Sequence, residues 1–447
     1  MLPRALLLLG FAFVLTLGYQ DAYNHRSTTN ESHTAVFCYI NGTRLMAQSR
    51  RNNYQTAHFG LEHIKIELCT HLVYGAAVLD TDTWGIRAID PDLEHRQSGN
   101  KITFEDITEL KNRKRDLQVL ISVSGNAIHF SNMARSHRGD FVQHARNFLN
   151  KYKFDGLNID WRYPTRSSGD PEDKQNYSLL IKELKNTFRN DAKLLTVTVS
   201  PMKQTIIRGY EDVDSDVIDS VDYWFIMALE YYGHWSFQIG ANAPIRSREL
   251  HNVHKTIDDY KQIFQRHSYK LILVIPFYGK KYQLAQPLQN NYESPISKDL
   301  VNSHAPAENV IFTYREICQK MSNEHWRRGW DSETQTPYIV KDIGAIVYDD
   351  AQSVQAKTSL ALSSGLGGVM AFSIDMDDFI GDCYVEGRRY STDNYNYNYN
   401  TRERSARKYP LLQSIYETVE RGPNSAAFHS SPLALVLVIL GLWLLRT

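Results

Sequence analysis

Eight short apolar runs, separated for the most part by stretches with helical spacing, constrain the fold of this 447-residue chain more than any other feature. They lie at 35–40, 71–78, 117–123, 156–161, 194–200, 223–229, 271–277 and 368–374. Before the fourth run, Phe141, Ala145, Phe148, Leu149 and Tyr152 recur at helical spacing. After it come Tyr177, Leu180, Ile181, Leu184 and Phe188. Continuous apolar strands alternating with amphipathic helices describe a parallel sheet covered on both faces. Eight such units that close on themselves make an α/β fold, the (β/α)8 barrel, with its site at the C-terminal ends of the strands. Residues 409–420 supply a closing helix. The interval before the eighth run is too long for one helix. Residues 283–348 are therefore read as a small α+β insertion, with strand-like pieces at 310–313 and 337–340.

The fourth run carries the chemistry. In FDGLNIDWRYP (154–164), Leu157, Ile159 and Trp161 alternate with Asn158, Asp160 and Arg162. That period of two puts the polar set on one face of a strand, with an acid and a base at its far end.

The stretch resembles the signature strand of the glycoside hydrolase family 18 chitinases, DGxDxDWEYP. This chain keeps Asp155, Asp160, Trp161, Tyr163 and Pro164, has Asn158 for the middle Asp, and carries Arg162 where the family has its general acid. Further motifs fall in the family's order: Cys38-Tyr39, CTHLVY (69–74), VLISVSG (119–125), PFYG (276–279) and GLGGVMAFSIDMDDF (365–379). The resemblance covers residues 34–421 and implies the barrel with its insertion.

In that family the substrate's own acetamide is the nucleophile, which leaves one essential proton donor, the Glu of the signature. Arginine cannot stand in for it, because its pKa lies above about 12 and it holds its proton near neutral pH. The resemblance thus implies a site without its acid, in which Asp155, Asp160 and Glu230 are remnants. Beside Arg162, the expected role of Asp160 is an ion pair. Glu230, in Met227-Ala228-Leu229-Glu230 where the family reads MxYD, is the candidate for a displaced acid. The sugar floor is also altered: Thr43, Ala76, Asn126 and Phe372 stand at aromatic positions of the family's motifs. Tyr39, Met227, Tyr278 and Phe372 remain as candidate ligand-binding residues.

The rest of the sequence narrows the setting. Formal net charge is zero and the sequence pI is about 7.3, so no field over the whole chain argues for nucleic acid. Arg4 and an apolar run over 5–17 read as a secretory signal at 1–20. Sequons follow at Asn30, Asn41 and Asn176. The four cysteines then read as two disulfides, for which three pairings are open. The resemblance favours Cys38–Cys69 and Cys318–Cys383. Residues 422–447, with small residues at 424–427 and an apolar tail, read as a glycosylphosphatidylinositol anchor signal. Residues 393–400 are a low-complexity Asn/Tyr segment. No cofactor is called for, and His251 with His254 does not amount to a metal site.

Three functions are open at this stage. One is a chitinase-like protein without turnover, extracellular and held by a lipid anchor or secreted. It would bind chitin or other N-acetylglucosamine glycans, or act on a protein receptor as a growth factor does. The second is a chitinolytic hydrolase that uses Glu230. The third is a scaffold with a vestigial groove.

Overall fold

The computed structural model describes residues 34–49, 59–90, 102–166, 170–210, 215–233, 235–248, 251–288, 311–381, 383 and 408–422. The signal segment, Asn30, the segment 393–400 and residues 423–447 lie outside them. The eight apolar runs become parallel strands: β1 (Ala35–Asn41), β2 (His71–Asp80), β4 (Gln118–Ser124), β5 (Gly156–Asp160), β6 (Leu194–Val199), β7 (Tyr223–Ile226), β8 (Leu271–Pro276) and β14 (Gly368–Phe372). The hydrogen-bonded order is β1-β14-β8-β7-β6-β5-β4-β2, and β1 also pairs with β2, which closes the barrel. The strands are almost wholly buried because helices cover their outer face and their own side chains fill the inner one.

The helices are α1 (Gly42–Ser49), α2 (Phe104–Thr108), α3 (Ala127–Ser136), α4 (Arg138–Lys151), α5 (Asp173–Arg189), α6 (Lys203–Tyr210), α7 (Ser215–Ser220), α8 (Val253–Phe264), α9 (Tyr314–Asn323), α10 (Ala351–Ser363) and α11 (Pro410–Arg421). Their apolar stripes face the barrel as the spacing requires: Phe141, Ala145, Phe148 and Leu149 of α4 are buried, as are Tyr177, Leu180, Ile181, Leu184 and Phe188 of α5. Trp161 points outward between two helices, stacked on Phe130 of α3 and edge-on to Tyr177 of α5.

Two sheet features go beyond the sequence reading. β3 (Gly85–Ala88) folds back antiparallel on the end of β2. The insertion is a five-stranded antiparallel sheet, in the order β10-β9-β13-β12-β11. Its strands are β9 (Tyr278–Gln283), β10 (Ile311–Thr313), β11 (Arg327–Asp331), β12 (Thr336–Lys341) and β13 (Gly344–Val347). β9 starts two residues after β8 ends, so Tyr278 belongs to the small sheet and not to the barrel. Disulfides join Cys38 to Cys69 and Cys318 to Cys383, the pairing the resemblance implied. The first ties β1 to the approach to β2, and the second ties α9 to the segment after β14.

Asp155 is corrected as a site residue. It precedes β5, at the N-terminal end of the strand and so at the opposite end of the barrel from Asp160. Its Oδ2 accepts the Val119 N–H at 2.8 Å and its Oδ1 accepts Lys111 Nζ at 2.9 Å. Its role is to staple β4, β5 and the preceding turn.

A candidate ligand groove at the C-terminal end of the barrel

Below the mouth, β5 presents a fully paired amide. Strand alternation turns Asn158 into the barrel, where it meets Ser122 of β4 and Thr196 and Thr198 of β6. Its Nδ2 donates to Ser122 Oγ at 2.9 Å and Thr198 Oγ1 at 3.0 Å, and its Oδ1 accepts from Thr196 Oγ1 at 3.1 Å. Such satisfaction is what a buried polar group requires.

At the end of the same strand Asp160 is 5% exposed and takes both of its oxygens to Arg162: Nε to Oδ1 at 2.6 Å and Nη2 to Oδ2 at 3.0 Å. Burial works against the guanidinium charge, but Asp160, through charge and hydrogen bond, outweighs it and holds Arg162 above its ordinary pKa. The expected ion pair is present. Around it stand three tyrosines. Burial raises the Tyr39 hydroxyl, which also bonds Ser122, and raises Tyr278 well above its ordinary value. Burial likewise pushes Tyr163 up to about 12, and Asp160, Arg162 and Glu230 all act on it. Tyr39 packs against Phe372 with ring centroids 4.7 Å apart, and Met227 is buried nearby in sequence from Glu230.

Glu230 sits in a left-handed backbone conformation (φ 60°), its N–H donating to Asn242 Oδ1 at 3.2 Å. Its Oε1 accepts from Tyr278 OH at 2.8 Å and lies 3.2 Å from Lys280 Nζ. Lys280 is buried, which lowers its pKa against the pull of Glu230, and its ammonium lies 5.3 Å from the centre of the exposed Trp235 ring. A third pair, Arg44 with Asp375 at 3.1 Å, stands beside β1, where the Asn41 N–H also donates to Asp375. Each of these three carboxylates is thus matched by a cation.

These strand-end residues belong to a chain whose residues 35–377 match the family described as Glycosyl hydrolases family 18. The chain is a member of glycosyl hydrolase family 18. It is 32% identical over 376 residues to Probable chitinase 2 of Drosophila melanogaster, covering 80% of this chain and 76% of that one. Among solved structures it resembles the Group IV chitinase of Ostrinia furnacalis, determined in complex with allosamidin. The TM-score is 0.72 at 28% identity, over 87% of this chain and 99% of that one. The catalytic domain 2 of the Group II chitinase of the same insect gives TM-score 0.72 at 26% identity, over 87% and 97%.

Within this family 18 barrel the remaining expected residues fall as follows. Arg162, Asp160, Glu230, Tyr278 and Tyr39 gather at the mouth, with Phe372 against Tyr39. Thr43 is exposed in the first turn of α1, and Asn126 caps α3 by accepting the Ile128 N–H at 2.9 Å. Asn41 ends β1 and accepts the N–H groups of Thr43 and Arg44, while Asn176 lies on α5 with its amide nitrogen buried. Among the described residues no cluster could hold a metal ion and no helix is long and apolar enough to cross a membrane. Sequence reasoning missed Lys280, Asn242 and the Arg44–Asp375 pair. Lys280 had a signal: it lies two residues after Tyr278, hence on the same face of a strand.

Proposed function

We propose that this family 18 member is a chitinase-like binding protein that does not hydrolyse its ligand. The observation that carries the reading is the bidentate bond from Arg162 to Asp160. Hydrolysis needs a proton for the leaving oxygen, and general-acid help of that kind is worth about 10²–10⁴ in rate. Arg162 cannot supply the proton, and its charge opposes an oxocarbenium-like transition state. Glu230 is a poor substitute, because its Oε1 is already held by Tyr278 and Lys280. The ligand class is chitin oligomers or other N-acetylglucosamine glycans, for which Tyr39, Phe372, Met227 and Tyr278 remain as a reduced floor. The apolar N-terminus and C-terminal tail support an extracellular protein, anchored by lipid or secreted, in which groove occupancy is presented to a receptor.

The test is turnover of chitin oligomers by the unaltered protein and by Arg162→Glu, with calorimetric titration of the same oligomers. Binding without turnover by the unaltered protein is the expected result. Hydrolysis by the unaltered protein that disappears in Glu230→Gln would make Glu230 the acid and sink the reading. Neither binding nor turnover would move the function away from the groove.

A further inference from the structure

The zero net charge of the chain conceals an uneven distribution at the end of the barrel opposite the groove. The turns that lead into β4, β5 and β6 carry Lys111, Arg113, Arg115, Lys151, Lys153 and Lys193, with Lys151 Nζ 4.5 Å from the centre of the Tyr152 ring. The inner members are tied down. Lys111 Nζ donates to the Lys153 carbonyl at 2.7 Å as well as to Asp155, and Lys193 Nζ donates to the Phe154 carbonyl at 2.7 Å. Lys193 lies below its ordinary pKa, first through burial, with the Lys111 charge adding to it against Asp155 and Asp191. The outer members Arg113, Arg115, Lys151 and Lys153 are exposed.

Two acids on this face, Asp155 and Asp191, are committed to cations, while Glu109 and Asp116 of the turn before β4 are exposed and offset part of the positive charge. Asp155 is held by Lys111 and the Val119 N–H, and Asp191 by Arg146 at 2.6 Å. Glu67 lies 3.6 Å from Arg113, both about half exposed, and Asp116 lies 4.0 Å from Lys114. Arg115 and Lys153 have no carboxylate within ion-pair distance among the described residues. The cations lie across three neighbouring strand ends, a span of roughly 10 Å at about 4.8 Å per strand. That is an extended cationic strip, suited to a linear chain of fixed negative charges rather than to one compact anion.

We propose that this face binds a sulfated linear polysaccharide. Choosing a polysaccharide over a nucleic acid rests on the secretory reading of the N-terminus. The site itself is independent of the groove, because it occupies the other end of the barrel. Lys111 and Lys193 position the turns, and Arg113, Arg115, Lys151 and Lys153 make the ionic contacts.

The experiment is affinity of the intact protein for heparin, measured against NaCl, beside desulfated heparin and the variant R113S/R115S/K151S/K153S. Four ionic contacts at about 0.7 counterions each give a log–log salt slope near −3, so a fourfold rise in salt weakens binding by roughly 50-fold. The expected results are that slope, no binding to desulfated heparin, and loss of most of the slope in the variant. Circular dichroism checks that the variant folds, and its chitin-oligomer binding is expected to match that of the unaltered protein, which separates this site from the groove. Arg327→Ser with Lys341→Ser, on the insertion, is the charge control. The proposal fails if heparin is not bound at 0.15 M NaCl, if the patch variant binds as well as the unaltered protein, or if the control pair lowers binding as much. Retention by phosphatidylserine vesicles or duplex DNA without retention by heparin also overturns it.

Discussion

Arg162 and Asp160, two residues apart on one strand end, form a bidentate pair in which the acid is buried and the base is 39% exposed at its side chain. On the proposed reading, the residue that stands in place of the proton donor also neutralises the carboxylate beside it. Removing the base strands a buried charge, which costs more than the pair is worth.

The first prediction follows from that asymmetry. Arg162→Gln should lower stability by about 1–2 kcal/mol, less than the 3–5 of a fully buried pair because Arg162 is partly solvated. Asp160→Asn in the same background should restore part of the loss. Urea denaturation of the three variants and the parent measures the coupling. A coupling near zero would mean that the pair contributes nothing.

The second concerns the layer beneath. Asn158 gives two hydrogens and takes one from three hydroxyls. Asn158→Asp removes both donors and buries a charge, though Ser122 and Thr198 can rotate to donate. The expected cost is about 1–3 kcal/mol at pH 8 and less at pH 5, where the acid takes a proton. Equal losses at the two pH values would exclude a titrating carboxyl there.

Acid lability should come in part from His71. Burial first, and then Lys114, pushes its pKa down to about 4, while its ring stacks on Phe37 at 4.2 Å. The folded-state value is below the unfolded value of about 6.5, so between pH 6.5 and 4 the unfolded chain binds a proton that the folded chain does not. The stabilisation is complete above pH 6.5 and is lost as pH falls toward 4, by roughly 2–3 kcal/mol. His71→Phe keeps the stack and should flatten this limb of the stability profile.

Asp377 should act with the opposite sign. It is fully buried and accepts the Leu412 N–H at 2.9 Å and the Leu411 N–H at 3.4 Å in the first turn of α11. Burial raises its pKa to about 7, above the unfolded value of about 4. Here the folded chain holds the extra proton, so stability is greatest below pH 4 and declines as pH rises through 7. Asp377→Asn retains an acceptor for the helix and should remove the decline. Thermal melts from pH 4 to 8 of this variant and His71→Phe should therefore diverge in opposite directions from the parent.

The barrel was legible because strands buried on both faces must be apolar throughout. β5 and β8 were found for that reason, with errors of a residue or so at their ends. β3 was not found, because four residues beginning with glycine carry too little pattern, although the polar turn Asp80-Thr81-Asp82-Thr83 before it was a hairpin signal. In the site, Arg162 and Asp160 were readable because they are neighbours on one strand. Arg44, in the first turn of α1, and Asp375, just after β14, lie more than 300 residues apart in sequence, and only barrel closure joins them. Asp155 was misplaced because a shared motif says which residues go together, not which end of the strand they serve.

Closure of the barrel bears on how the protein keeps to itself. Pairing of β1 with β2 leaves none of the eight parallel strands with an unmatched row of backbone groups. Among the described residues, the open strand edges are short outer elements: β3, and in the small sheet β10 and β11. β11 exposes Arg327 along its length, while Arg328 is paired with Asp350 at 2.6 Å, and a charged residue on an edge strand disfavours pairing with a second copy.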